Sequence, residues 1–405
     1  MGILYINANG EEITRHSYSA GQEFDQAAFK FYVKRILGWR ERDNKASLMF
    51  GRALESAIQF YHDNGGKGGV EEFVRLWVVH KSNDRLTYTA KEINWENLNR
   101  AGIDMMKLYA IRQPSFPIPL NTRFQREFLK EVFPGDERLG GIEFYGKLDA
   151  MPNVEPNHPM LPKIEWKEEY GLFRPVIVDI KTSGIDLDDT LGIVAHDLQL
   201  RSYAWLRGPD KSGTTTVAFL WFKKSGTNLE KGSSVTLLED APVRFKAGDE
   251  AVVAQVNKDE NFTVILLKDD VELEEMRKAQ GLKENGNLDT TKVAVARKEE
   301  WLSKNGVVIP QYKLTRQRLQ FSAGLVSPQS AADAGQIAAN QIARIVSAWD
   351  SNKWPNTFGI RYPHDDRKDP VFRAFVLKDN VYRDGMFEQR YDEFFEDDII
   401  DEGAN

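Results

Sequence analysis

The stretch Val176-Ile177-Val178-Asp179-Ile180-Lys181-Thr182 constrains the fold more than any other part of this 405-residue chain. It is an apolar run after Pro175, interrupted by one acid and one base. Side chains alternate along a strand, so Asp179 and Lys181 project from one face while Val178 and Ile180 project from the other. A shorter stretch, Ile142 to Asp149, precedes it; Ile142, Phe144 and Leu148 keep one face apolar, and Asp149 shares the other with Tyr145. If the two strands pair, two aspartates and a lysine converge. Close carboxylates that stay ionised need a cation between them, and hard oxygen ligands with an open, water-rich shell suit Mg²⁺ or Mn²⁺. The lysine can then orient or deprotonate a water beside that cation. The same pattern also fits an Asp–Lys ion pair closing a strand end.

Composition narrows the class. The chain has no cysteine, which excludes disulfides, zinc–thiolate sites and iron–sulfur clusters and fits a reducing compartment. No run approaches the roughly 18 apolar residues of a membrane span, and the first residues lack the basic segment of a signal peptide, so a cytoplasmic protein is expected. Net charge is 54 − 61 = −7, but residues 391–405 hold seven acids and no base, so the remainder sums to zero. A neutral body can still carry a basic groove. No Gly-x4-Gly-Lys-Ser/Thr loop is present, which argues against a built-in ATPase motor.

Residues 17–42 read as an aromatic, basic helix, on which Lys34 and Arg35 either touch phosphates or form a solvated face. The next helix starts at Ser47 as N-cap and stops at Gly65-Gly66. On it Glu55 lies one turn beyond Gly51 and is either a third acidic ligand or an exposed helix glutamate. A strand over 123–132 carries Glu127, an accessory acid at most. A helix over 189–207 places His196, Gln199 and Tyr203 at i, i+3 and i+7, offering an amide and a phenol one turn apart, with His196 structural or at a rim. A strand over 214–222 follows. Residues 224–311 form a β-rich insertion, expected as a small β-barrel with helical parts near 273–283 and 293–304. Alternation returns over 312–321, with Lys313, Arg316 and Arg318 on its polar face, before an Ala-rich helix over 329–349. The expected units are thus 1–223, 224–311, 312–390 and an acidic tail, 391–405, that either stays disordered or mimics DNA and recruits a partner.

Together these stretches resemble the PD-(D/E)xK nuclease superfamily in its RecB-like branch, similar to CRISPR-associated adaptation nucleases and phage lambda-type exonucleases. Gly51 to Glu55 resembles the first-helix element, although the branch usually has His where Glu55 stands. Gly146-Lys147-Leu148-Asp149 resembles the glycine-led aspartate motif, Asp179-Ile180-Lys181 the D/E-x-K motif, and Gln199 with Tyr203 the Gln-x3-Tyr motif of the helix that follows. The likeness spans about 17–222 and resumes over 312–370. Relatives that hold an iron–sulfur cluster have cysteines where this chain has Ala27-Ala28 and the 359–369 segment, so no cluster is expected here.

The resemblance implies an α/β restriction-endonuclease-like core, a mixed sheet flanked by helices, with the β-rich and helical insertion added to it. It implies that Glu55, Asp149, Asp179 and the Ile180 carbonyl hold Mg²⁺ or Mn²⁺, that Lys181 acts on the attacking water, that Gln199 and Tyr203 steady Lys181 or the attacked strand, and that Lys147 contacts phosphate. The implied activity is metal-dependent hydrolysis of DNA, more an exonuclease than an endonuclease, in recombination, repair or phage genome metabolism. A defence endonuclease is an alternative, as is a DNA-binding or assembly protein without activity, against which the intact Asp149, Asp179 and Lys181 argue. DNA is the expected partner, with a helicase, recombinase or single-strand-binding protein and self-assembly left open.

Overall fold

A computed structural model describes residues 2–88, 94–185, 187, 193–241, 245–257, 261–266, 300, 306–355 and 369–390. The expected helical parts of the insertion (Glu300 excepted), the start of the helix expected from 189, and the acidic tail lie outside the described residues. Strand β1 (Arg15–Ser17) runs into helix α1 (Tyr18–Gln26), where Ser17 Oγ accepts from the Ala20 N–H and caps the first turn. The single helix expected over 17–42 is broken. Ala27 is extended (φ −160°), and a short helix Ala28–Phe31, a π-helical turn Tyr32–Ile36 and a strand Trp39–Glu41 follow. No proline or glycine announces the break at Ala27, so periodicity alone ran through it.

Helix α2 (Ala46–Asp63) begins one residue ahead of the expected Ser47 cap and buries Met49, Phe50, Ala53, Leu54, Ala57, Ile58 and Tyr61 along one stripe. Helices α3 (Gly69–Val78) and α4 (Trp95–Arg112) pack beside it. Strands β2 (Phe124–Glu131), β3 (Glu143–Ala150) and β4 (Arg174–Ser183) follow, then helix α5 (Leu198–Arg207) and strand β5 (Thr215–Lys223). The helix expected from 189 is interrupted at Asp197, whose carboxylate accepts from the Leu200 N–H at 3.0 Å and caps α5. An aspartate bonded to backbone in this way starts a helix rather than continuing one.

The order in the seven-stranded mixed sheet starts with strand β11 (Arg318–Val326), described below with the module, and continues β5-β4-β3-β1; β2 pairs with β3, and the short strand Asn153–Val154 pairs with β4. β4 and β5 are parallel, as their connection through α5 requires, and β11 closes the edge antiparallel to β5. β4 is buried on both faces, so it reads as a near-continuous apolar run. Val176, Val178 and Ile180 join Ala218, Leu220 and Phe222 against α2 to α4. Ile177, Val217 and Phe219 pack on the opposite face against Leu200, Tyr203, Ala204 and Leu206 of α5.

One irregularity of this sheet matters most. β2 pairs along the whole of β3, occupying one edge. On the other edge β1 pairs only with residues 143–145, and β4 touches only at Ala150, opposite Val178. Between those contacts the edge of β3 has no strand partner, and the sheet opens there.

The insertion is a five-stranded antiparallel sheet: β6 (Ser234–Leu237), β7 (Glu250–Val256), β8 (Asn261–Leu266), β9 (Val307–Pro310) and β10 (Leu314–Thr315), in the order β9-β8-β7-β6-β10. The segment 307–315 pairs with β8 at its start and β6 at its end, so one piece of chain joins both edges and curls the sheet round Leu237, Phe245, Val253, Val264 and Ile309. The alternation read over 312–321 is therefore divided, β10 closing this module and β11 joining the central sheet. Helix α4 is its platform, with Arg112 Nη2 donating to Gly248 O at 2.6 Å. Helix α6 (Pro328–Ser351) completes the layer beside α5. Among the described residues no helix is long and apolar enough to cross a membrane.

Candidate active site

The chemistry-bearing side chains meet where the sheet opens. Beyond Val178, β4 has lost β3 as a backbone partner, and the Ile180 N–H donates instead to Asp149 Oδ2 at 2.6 Å. This hydrogen bond seats Asp149 beside Asp179, which is 1% exposed. Lys181 Nζ lies 3.1 Å from Asp179 Oδ1 and 2.9 Å from Oδ2, and donates to Gln199 Oε1 at 3.0 Å. Gln199 in turn donates through Nε2 to the Tyr203 hydroxyl at 2.8 Å. The i, i+4 spacing on α5 thus becomes a relay of side chains that holds the lysine.

Two glycines make the approach of the helices possible. A Cβ on Gly146 would stand 2.5 Å from Leu206 Cδ1 and 3.1 Å from Tyr203 Cε1, so α5 can lie on β3 only if position 146 has no side chain. A Cβ on Gly51 would stand 3.2 Å from Thr182 Oγ1, which brings α2 onto β4 and Glu55 to the third side of the opening. Glu55 accepts a hydrogen bond from Gln125 Nε2. Gln125 has left-handed backbone (φ 52°), sparsely populated by a residue with a Cβ, inside β2. Such a local distortion is worth ~1–3 kcal/mol and collects at functional sites.

Glu55, Gln125, Lys147, Asp149, Asp179, Ile180, Lys181, Gln199 and Tyr203 all line one cavity of about 1090 Å³. Burial, then the charges of Glu55 and Asp179, push the Asp149 carboxyl well above the usual range. Burial also raises Asp179, against the opposing pull of Lys181. Burial alone would lower the Lys181 ammonium, but Asp179 and Asp149 outweigh it and raise its pKa. Lys181 is therefore held as a cation, ion-paired with Asp179 beside the Asp149 carboxylate.

The donor set fits a divalent cation chemically. Asp179 Oδ2 is a buried carboxylate oxygen that makes no hydrogen bond, its contact with Lys181 being ionic only. Carboxylates pushed toward neutrality by burial, and in Asp149 also by the charges of Glu55 and Asp179, are what a cation between them would relieve. Among the described residues no three acidic or histidine side chains are grouped as a ready-made metal site. Each carboxylate has its own donor, Asp149 the Ile180 N–H, Asp179 the Lys181 ammonium and Glu55 the Gln125 amide.

Not every expected residue reaches the cavity as a binding group. Lys34 does not line it and pairs with Glu41 at 3.1 Å. Arg35 lines its far end, but its guanidinium is buried and bound to Glu23 at 3.0 Å. Glu127, opposite Lys147 on β2, and His196 are exposed and do not line it. Gln125, Tyr18, Arg52 and Lys224 line the cavity without having been singled out from the sequence. Only the Lys223-Lys224 pair at a strand end was a visible signal.

Comparison with known families gives one match: a model described as the PD-(D/E)XK nuclease superfamily matches residues 15–284, from β1 through β8. No curated protein matches the chain.

Proposed function

We propose that this chain, which belongs to the PD-(D/E)XK nuclease superfamily, is a metal-dependent deoxyribonuclease that removes nucleotides from strand ends during recombination, repair or phage genome metabolism. Members of this superfamily are usually metal-dependent nucleases and typically use Mg²⁺ or Mn²⁺. The observation that carries the proposal is the meeting of Glu55, Asp149, Asp179 and Lys181 in one cavity at a break in the sheet.

Glu55, Asp149, Asp179 and the Ile180 carbonyl are the ligands for Mg²⁺ or Mn²⁺. When bound, such a cation polarises a phosphoryl oxygen and lowers the pKa of water beside it. Lys181 sets its ammonium toward the attacking water and toward negative charge growing on the phosphoryl oxygens, where a preorganised cation costs no reorganisation. Gln199 and Tyr203 are positioning residues that hold Lys181 in place. Lys147, on β3 at the cavity wall, contacts phosphate. The cavity is bounded by the N-terminal segment Leu4 to Ala20 as well as by β3, β4 and α2, which suits a strand end better than continuous duplex.

The test is digestion of end-labelled linear DNA and closed circular DNA with Mg²⁺, Mn²⁺ or EDTA. Linear DNA is expected to be shortened only when divalent ions are present. Digestion unaffected by EDTA refutes the metal-dependent mechanism, and cutting of the closed circle refutes action from ends.

A further inference from the structure

We propose that Lys224 and Arg52 form a subsite gripping a phosphate of the substrate strand next to the scissile one, a role that rests on the nucleolytic reading above. Lys224 follows β5 directly, and its backbone N–H donates to Ser183 O at 2.6 Å, which anchors it beside the end of β4. Because Ser183 lies opposite Lys223, Lys224 stands about three residues beyond Lys181, or ~10 Å along the parallel strands. Its ammonium lies 5.3 Å from the ring centre of Phe50 on α2, so it approaches the cavity on the α2 face, whereas Lys181 approaches from the α5 face. Arg52 stands one turn before Glu55 on α2 and lines the same cavity.

Several cations lining this cavity already have carboxylate partners, Lys181 among them with Asp179 at 2.9 Å. Arg15, Arg35 and Arg390 are paired with Glu143 at 3.5 Å, Glu23 at 3.0 Å and Glu388 at 2.5 Å. Among the described residues no carboxylate pairs with Lys224 or Arg52, and both are half-buried. Burial lowers the Lys224 pKa, the mark of a cation without compensation. A partly desolvated cation with no counter-ion costs free energy that an anionic ligand removes. The anion that a strand presents on both sides of the cleaved bond is phosphate. A strand crossing the opening from the α5 face to the α2 face would meet Lys181 at the reacting phosphate and this pair at the neighbouring one.

The experiment uses the full-length protein and a fluorescent single-stranded oligonucleotide, with binding followed by anisotropy in EDTA and cleavage followed in Mg²⁺. Lys224→Ala and Arg52→Ala are each expected to raise Kd and KM about tenfold, with kcat changed less, and to reduce the slope of log Kd against log salt by about 0.7. Lys224→Arg restores most of the affinity. Lys246→Ala, which removes a charge on the β module, shifts neither readout. Unchanged Kd and salt slope in both alanine variants, each folded by its thermal transition, overturn the subsite. Shifted binding with no cleavage by the parent protein leaves the subsite standing and removes the nuclease reading; cleavage without any shift does the reverse. Oligonucleotides with a 5′-phosphate, a 3′-phosphate or neither separate the sources: an internal phosphate gives the same loss on all three, and a terminal one gives a loss confined to the phosphorylated strand.

Discussion

Replacing Lys181 by alanine separates its two jobs. The side chain holds a carboxylate that is 1% exposed, with contacts of 2.9 and 3.1 Å. Losing a charged hydrogen bond to a buried acceptor costs ~1.5–3 kcal/mol. The Lys181 side chain is 36% exposed, so solvent screening draws the value to the low end, about 1.5–2 kcal/mol. In a chain of 405 residues each kcal/mol moves the midpoint by only about 1 °C, so Tm in EDTA is expected to fall by ~2 °C. Divalent ion should shrink that deficit, because a cation on Asp179 takes over the role of the missing ammonium. Removal of a positive charge beside the ligands should also leave Mg²⁺ affinity, measured by calorimetry, equal or tighter. Cleavage should nonetheless fall at least ~100-fold, the usual worth of a positioned proton-transfer or charge-stabilising group. Tm unchanged in EDTA, together with cleavage within tenfold of the parent, would refute the arrangement.

Asp149→Asn neutralises a proposed ligand while keeping an oxygen for the Ile180 N–H, so it should fold, lose the Mg²⁺-induced rise in Tm and lose cleavage; a retained Mg²⁺ shift in a thermal melt would exclude Asp149 as a ligand. Gly146→Ala drives a methyl against Leu206 and Tyr203 and should cost ~1–3 kcal/mol in denaturant titration, with partial recovery in Gly146→Ala/Leu206→Ala. His62 offers a pH test: its Nδ1 faces Pro119 O at 3.2 Å and its Nε2 faces the Tyr109 hydroxyl at 2.6 Å, a set that the neutral ring satisfies as donor and acceptor. Burial pushes its pKa down to about 4 from 6.5, so the unfolded state binds the proton first. The stabilisation is complete above pH 6.5 and is lost as pH falls toward 4, by up to ~3 kcal/mol. His62→Gln should flatten that part of the stability profile, and an unaltered profile would show that His62 does not titrate there.

The alternation in β4 and the spacing of Gln199 and Tyr203 were legible because both depend on local backbone period alone. Expecting Asp149 and Asp179 to meet needed only that two adjacent strands pair. Lys34 and Arg35 show where that reasoning stops: each is basic and on a helical segment, but Glu23 and Glu41 come from other turns of the chain and pair with them. The Ala27 break and the Asp197 cap interrupt helices whose apolar period continues across them.

By itself the sequence determined which residues can do chemistry and on which face of each strand or helix they stand, since alternation and helical pitch are properties of neighbouring residues. Only the tertiary structure decided that β3 loses its partner between β1 and β4, that Gln125 turns its amide to Glu55 and that Lys224 and Arg52 face the same cavity as the carboxylates. Those outcomes depend on bringing together segments up to about 170 residues apart in sequence, as Arg52 and Lys224 are on one cavity wall, and long-range pairing is selected by the packing of whole layers rather than by any local pattern.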